Sequence, residues 1–116
     1  MDRRHFQEYL PAEANGLFLK MDALQNLCFW AALRGVPLTK DAACAALERW
    51  DLNRPLLRDG FPVEKYSTGM KRRLALARII CSSAPLWLLD EPVYGLDRRA
   101  VGIFSDSLRQ HLAKGG

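Results

Sequence analysis

The chain has 116 residues, 49% of them hydrophobic and 26% charged, with 17 Lys and Arg against 13 Asp and Glu. That length fits one domain with a core of its own, and that balance excludes a disordered chain. No apolar run is long enough to span a bilayer, and no basic-then-apolar leader opens the sequence, so the expected location is the cytosol.

Much of the formal charge of +4 lies in Arg3, Arg4, Lys71, Arg72, Arg73, Arg78, Arg98 and Arg99. Basic surfaces serve nucleic acid, anionic lipid or nucleotide phosphate, and most of these arginines read as solvated helix faces. Without a basic run interleaved with aromatics, nucleic-acid binding is not expected. Cys28, Cys44 and Cys81 are odd in number and widely spaced. With no C-x-x-C pair they read as small buried hydrophobes rather than zinc ligands or a disulfide framework.

In chain order, Tyr9-Leu10-Pro11 and Asn15-Gly16 predict a short strand ending in a turn. Asp22 with Gln25 makes a capping box for a first helix. Its stripe is Leu24, Leu27, Cys28 and Ala31, and it stops at Gly35 and Pro37. Thr39 caps a second helix, Lys40 to Trp50, with Ala43, Leu47 and Trp50 on one face. Asn53 to Pro62 is turn-rich. A third helix is expected from about Gly69 to Cys81, with Leu74, Ala77 and Cys81 on one side and Lys71, Arg72 and Arg73 elsewhere. Pro85 opens an apolar strand, Leu86 to Asp90, whose lack of polar alternation implies a parallel sheet covered on both faces. A fourth helix, roughly Arg98 to Lys114, takes Asp97 as N-cap and Gly115 as C-terminal cap. Its stripe is Val101, Phe104, Leu108 and Leu112. One parallel strand cannot satisfy its own backbone, so neighbours that this chain barely supplies are required.

Two features carry chemistry. Asp90-Glu91 ends a strand, and the carboxyl edge of an α/β sheet is where ligands bind. The pair reads either as a strand-end turn or as a metal-holding Asp90 beside a water-orienting base, Glu91. Tyr66-Ser67-Thr68-Gly69-Met70 opens a helix. Ser67 reads either as a plain N-cap or as part of an anion site at the positive end of the helix dipole.

The conjunction of Ser67-Thr68-Gly69-Met70, Leu86-Trp87-Leu88-Leu89-Asp90-Glu91-Pro92 and Gly95-Leu96-Asp97, with Arg72-Arg73-Leu74-Ala75-Leu76-Ala77-Arg78 between, resembles the second half of an ATP-binding-cassette (ABC) ATPase. The resemblance runs from about Tyr9 to the end. It implies a partial P-loop-type α/β domain. Residues 1–20 form a Q-loop-like region and residues 21–65 a helical subdomain. Residues 66–116 hold the signature helix, the Walker B strand, the D-loop and the helix after it. It also implies ATP and Mg2+ as ligands. Ser67, Thr68, Gly69 and Met70 would meet the ATP of an opposite subunit. Asp90 would hold the metal through water, Glu91 would be catalytic, Asp97 would be the D-loop aspartate, and Glu13 would take the Q-loop position.

The implied partners are a second nucleotide-binding subunit and a transmembrane permease at the inner face of the cell membrane. Leu27-Cys28-Phe29-Trp30-Ala31-Ala32-Leu33-Arg34-Gly35, Pro85-Leu86-Trp87-Leu88-Leu89-Asp90-Glu91-Pro92 and His111-Leu112-Ala113-Lys114-Gly115-Gly116 are similar to the haem-exporter ATPase of cytochrome c maturation. Tyr9-Leu10-Pro11 and the signature segment are similar to ATPases of ABC-2-type exporters. The departures are Tyr66, Thr68 and Met70 within the signature, Ala12 or Glu13 where a glutamine is usual, and no G-x-x-x-x-G-K-S/T loop in these 116 residues. The implied function is an ATP-hydrolysing exporter subunit whose half-cassette is inactive alone. The alternative is a non-catalytic module that docks on a transmembrane partner.

Overall fold

The computed structural model describes residues 7–10, 16–36, 38–58, 60–81, 86–89 and 96–114. Two short strands, β1 (Gln7–Leu10) and β2 (Leu86–Leu89), pair in parallel, with Gln7 opposite Leu86 and Leu10 opposite Leu89. The helices are α1 (Ala23–Leu33), α2 (Lys40–Arg49), α3 (Pro55–Arg58), α4 (Thr68–Cys81) and α5 (Arg98–Ala113), with a 3-10 turn at Val63–Lys65. Beside the apolar run of β2, the expected neighbour on one side is therefore β1. The expected strand end Asp90 and the expected cap Gly115 lie outside the described residues, as does Pro37. The assignment of β2 as a Walker B strand turns on Asp90.

The helix ends follow the chemistry of their capping residues. The Asp22 carboxylate accepts from the Gln25 amide at 2.8 Å, and Gln25 Oε1 accepts from the Asp22 amide at 2.9 Å, completing the capping box. At the far end, the Val36 amide donates to the Ala31 carbonyl (2.9 Å) and that of Gly35 to Ala32 (3.1 Å), with Gly35 at φ 69°. This is a Schellman stop, which needs a left-handed residue at that position. Thr39 Oγ1 caps α2 through the Ala42 amide at 3.1 Å.

The C-terminus of α2 repeats the same stop without glycine. Leu52 donates to Leu47 (2.8 Å) and Asp51 to Glu48 (3.1 Å), and Asp51 sits at φ 59°. Aspartate tolerates the left-handed region better than most side chains, though less well than glycine.

α4 is the centre of the fold. Leu74, Ala75, Leu76, Ala77 and Ile79 are all buried, so the helix has no solvated side over this stretch. α1 and α2 pack on it and on each other, and α5 touches it from another direction. The faces expected for α1 and α2 are the ones that pack: Leu27, Ala31, Ala43, Leu47 and Trp50 are buried, and Leu24 and Cys28 half-buried.

Two expectations are corrected here. Arg72 and Arg78 are 1% and 5% exposed, not solvated, because a helix enclosed all round takes its cations inside with it. Leu112 is 58% exposed because the stripe of α5 meets its neighbours only as far as Leu108: Ala100, Phe104 and Ser107 are buried, and Leu108 packs against the core.

Buried polar groups hold the segment before α1. Asn26 Nδ2 donates to the carbonyls of Phe18 (3.0 Å), Asp22 (2.9 Å) and Met21 (3.4 Å), while Asn26 Oδ1 accepts from the Phe18 amide at 2.8 Å. The backbone of Leu19 and Met21 accepts from Glu64 and Val63, each at 2.9 Å. Tyr66, also buried, donates its hydroxyl to the Leu57 carbonyl at 2.5 Å and stacks on Phe61. Burial, and then the nearby Asp22 carboxylate, push the Tyr66 phenol up to about 12.

Replacing Asn26 by Leu keeps the branched outline of the side chain but strands the Phe18 amide, while the Phe18 carbonyl keeps the Met21 amide; it is expected to cost about 2–3 kcal/mol in urea unfolding. Asp51→Ala is expected to be less stable than Asp51→Gly by about 1 kcal/mol, because only the glycine relieves the left-handed strain. The Tyr66 phenol is raised on folding, so its contribution is complete below the unfolded pKa and lost as pH rises through the folded one. Stability should therefore fall between pH ~10 and about 12, and Tyr66→Phe should flatten that fall in urea titrations across the window.

Candidate functional site

The segment Ser67 to Met70 forms the N-terminus of α4. Ser67 Oγ accepts from the Met70 amide at 3.1 Å, and the Ser67 carbonyl accepts from Lys71 at 2.9 Å. Ser67 and Thr68 are exposed, while Gly69 and Met70 are half-buried, with Met70 packed on the core. The hydroxyl of Ser67 is thus engaged as an N-cap, and the end of a 14-residue helix, positive by its dipole, faces solvent beside Thr68. Tyr66 fixes where that end lies through its bond to Leu57.

Asp97 is likewise an N-cap, its carboxylate accepting from the Ala100 amide at 2.8 Å. The helices that Ser67 and Asp97 cap meet at the end of α2. Arg73 of α4 donates to the Trp50 carbonyl at 3.0 Å, and Arg99 of α5 lies 3.6 Å from the Asp51 carboxylate, which Arg54 also approaches at 3.7 Å. The Asp51 pairs are exposed and contribute little to stability. They lie where the start of α5 meets the end of α2.

Asp90, Glu91 and Glu13 lie outside the described residues. β1 and β2 run the same way and end side by side, Leu10 against Leu89, at one edge of the sheet. Among the described residues no group of three His, Cys, Asp or Glu is arranged to hold a metal ion, and no helix is long and apolar enough to cross a membrane. Burial raises the Cys28 thiol, and burial followed by the neighbouring Cys28 raises Cys81 to about 11. Both are protonated near neutral pH and pack as small apolar groups.

Sequence reasoning missed Asp51, Asn26 and Arg78. The first gives no sign because aspartate is ordinary in a turn. Asn26 had a visible signal, an amide one step from Leu27 on the packed face of α1. Arg78 had one too, a charge inside the run Leu74-Ala75-Leu76-Ala77-Arg78-Ile79-Ile80.

Known proteins share this arrangement. The ABC transporter family model matches residues 3–94. The chain is similar to the cytochrome c biogenesis ATP-binding export protein CcmA of Cereibacter sphaeroides, 44% identical over 105 residues that make up 90% of this chain and 47% of that protein. Its counterpart in Rhodobacter capsulatus is 40% identical over 105 residues, 90% of this chain and 46% of that one. The chain spans just under half the length of these curated relatives.

Among solved structures, a candidate ABC transporter ATP-binding protein of Pyrococcus furiosus superposes with a TM-score of 0.78 at 26% identity, covering 97% of this chain and 54% of that one. The ATP-binding subunit of another ABC transporter superposes with a TM-score of 0.82 over 96% of this chain and 45% of its own, and at 24% identity it shows the fold alone. With the family model matched over residues 3–94 and a fold shared with solved ATP-binding subunits, the chain belongs to the ABC transporter family.

Proposed function

We propose that these residues are part of the ATP-binding subunit of an exporter of the cytochrome c biogenesis type, working at the inner face of the cell membrane. The relatives that carry that description support the export class, and haem is the cargo that the sequence resemblance suggests. The single observation that carries the reading is the exposed N-terminus of α4. Ser67, Thr68 and the Gly69 amide stand at the positive end of a 14-residue helix. A helix end of this kind is suited to receive a phosphate. In this reading, residues 1–20 form the Q-loop-like region, 21–65 the helical subdomain and 66–116 the signature-to-D-loop part.

The chain then supplies one lip of a shared site. Ser67, Thr68, Gly69 and Met70 meet the γ-phosphate of ATP held on a second nucleotide-binding subunit. Glu91 orients the attacking water and accepts its proton, and Asp90 holds a magnesium ion through a water molecule. That ion, when bound, supplies the positive charge that offsets the phosphate oxygens. Asp97 sits at the dimer seam, and Glu13 takes the Q-loop place near the metal. A permease subunit receives the motion.

A second reading, a docking module without ATP chemistry, has its own support. Phe29 (44% exposed) and Leu33 (49%) stand on the outer side of α1, and Phe18 stacks edge-on against Phe29 at 5.1 Å. That apolar surface suits a partner whatever happens at the signature.

The test uses a chimera in which these residues replace the matching stretch of the Cereibacter sphaeroides relative. Glu91→Gln is expected to slow its ATP hydrolysis by about 100-fold or more while leaving ATP binding intact, the loss typical of removing a general base. Unchanged hydrolysis would remove Glu91 from the mechanism. The docking reading instead predicts permease binding that ignores nucleotide.

A further inference from the structure

Arg78 lies about 15 Å along α4 from Thr68, at the opposite end of the helix from the candidate phosphate site. It is 5% exposed. Its Nη1 donates to the carbonyl of Gly16 at 3.0 Å, across 62 positions of sequence. The centre of its guanidinium lies 4.4 Å from the centroid of the Trp30 ring, over its face. One planar cation thus joins three pieces of chain: α4, α1 through Trp30, and the backbone three positions beyond Glu13. Trp30 also packs against Phe18, ring centroids 5.8 Å apart, so the contact extends into the segment that Asn26 holds.

Gly16 is shaped for this contact. Its φ is +66°, a conformation that strains any side chain, and a Cβ placed there would stand 2.7 Å from Arg78 Nη1. A side chain at position 16 would therefore displace the guanidinium from where it meets the Gly16 carbonyl. Lysine cannot replace arginine, since an ammonium has no flat face to lay on indole while one fixed N–H reaches a carbonyl.

We infer that Arg78 is a positioning residue, a latch that holds the backbone at Gly16 in register with the helix whose far end carries Ser67 to Met70. The function of the latch rests on the ATP-site reading above; its existence does not. Asn26 ties residues 18–22 to α1, and Arg78 ties Gly16 to α4. A shift of α4 at the phosphate end is carried along a stiff helix to Gly16, and so to the segment that runs from Gly16 into α1.

Hydrogen exchange on the chain as it stands tests the latch. Arg78→Lys and, separately, Gly16→Ala are each expected to speed exchange of the Phe18 and Met21 amides about tenfold while leaving the amides of α2 unchanged. The double variant should be no worse than the worse single one, because both substitutions break the same contact. Gly16→Ala alters no core side chain, so it decides the matter even where Arg78→Lys folds poorly. Equal acceleration in α2, additive effects, or no acceleration would each overturn the latch.

The positioning role is read in the chimera. Arg78→Lys should lower kcat for ATP about tenfold with KM changed less than about twofold. An unaltered kcat would overturn that role. If the unsubstituted chimera fails to hydrolyse ATP, the ATP-site reading and the role that rests on it both fall, while the exchange result still decides whether the latch exists.

Discussion

A helix enclosed on every side governs this structure. α4 has apolar neighbours around most of its circumference, so whatever polar groups it carries must be satisfied inside. Arg73 reaches the carbonyl at the end of α2, and Arg78 reaches Gly16 and the Trp30 face. These contacts do more than neutralise a cost. They fix α4 against α2 at one point and against the segment before α1 at another, so the helix has little freedom to slide. The candidate phosphate end inherits that rigidity.

The remaining elements are arranged by how their ends are tied. α1 begins at Asp22, whose second carboxylate oxygen accepts from the Gly60 amide at 2.9 Å, so the start of the helix also positions the loop after α3. Lys20 pairs with Glu64 at 2.9 Å on the surface, next to the backbone bonds that join residues 19–21 to 63–64. An exposed pair of this kind adds little energy, but the backbone bonds beside it close the helical region on itself. Tyr66 is the last residue of that closure and the first before Ser67. The segment Ser67 to Met70 thus starts from an anchored point.

Local chemistry was legible in the sequence. Asp22 with Gln25, Thr39, Gly35 and Asp97 each did as capping rules require, and the stripes of α1 and α2 face the core. What failed was anything set by enclosure. Arg72 and Arg78 look like surface charges when α4 is read as two-sided, and Leu112 looks buried when a stripe is assumed to pack along its whole length. Both errors come from the same source: periodicity tells which residues share a face, not how far a neighbour extends along it. The left-handed Asp51 was invisible for another reason, since its conformation is imposed by the Schellman bonds around it rather than by its own preference. The candidate site is legible as motif; among the described residues Ser67 and Asp97 stand as N-caps, and Asp90 and Glu91 lie outside them.

The parallel pairing of β1 with β2 has a consequence for biosynthesis. Gln7 meets Leu86, 79 positions later in the chain (86 − 7). At typical elongation rates the ribosome needs roughly 4–16 s to make that stretch. During that interval β1 waits for β2, while α1, α2 and α4 can already nucleate. The pairing of β1 with β2 therefore closes after α1, α2 and α4 can have met. Until then the side of Gln7–Leu10 that β2 covers stays unsatisfied, a state in which a nascent chain is open to pairing with the wrong partner.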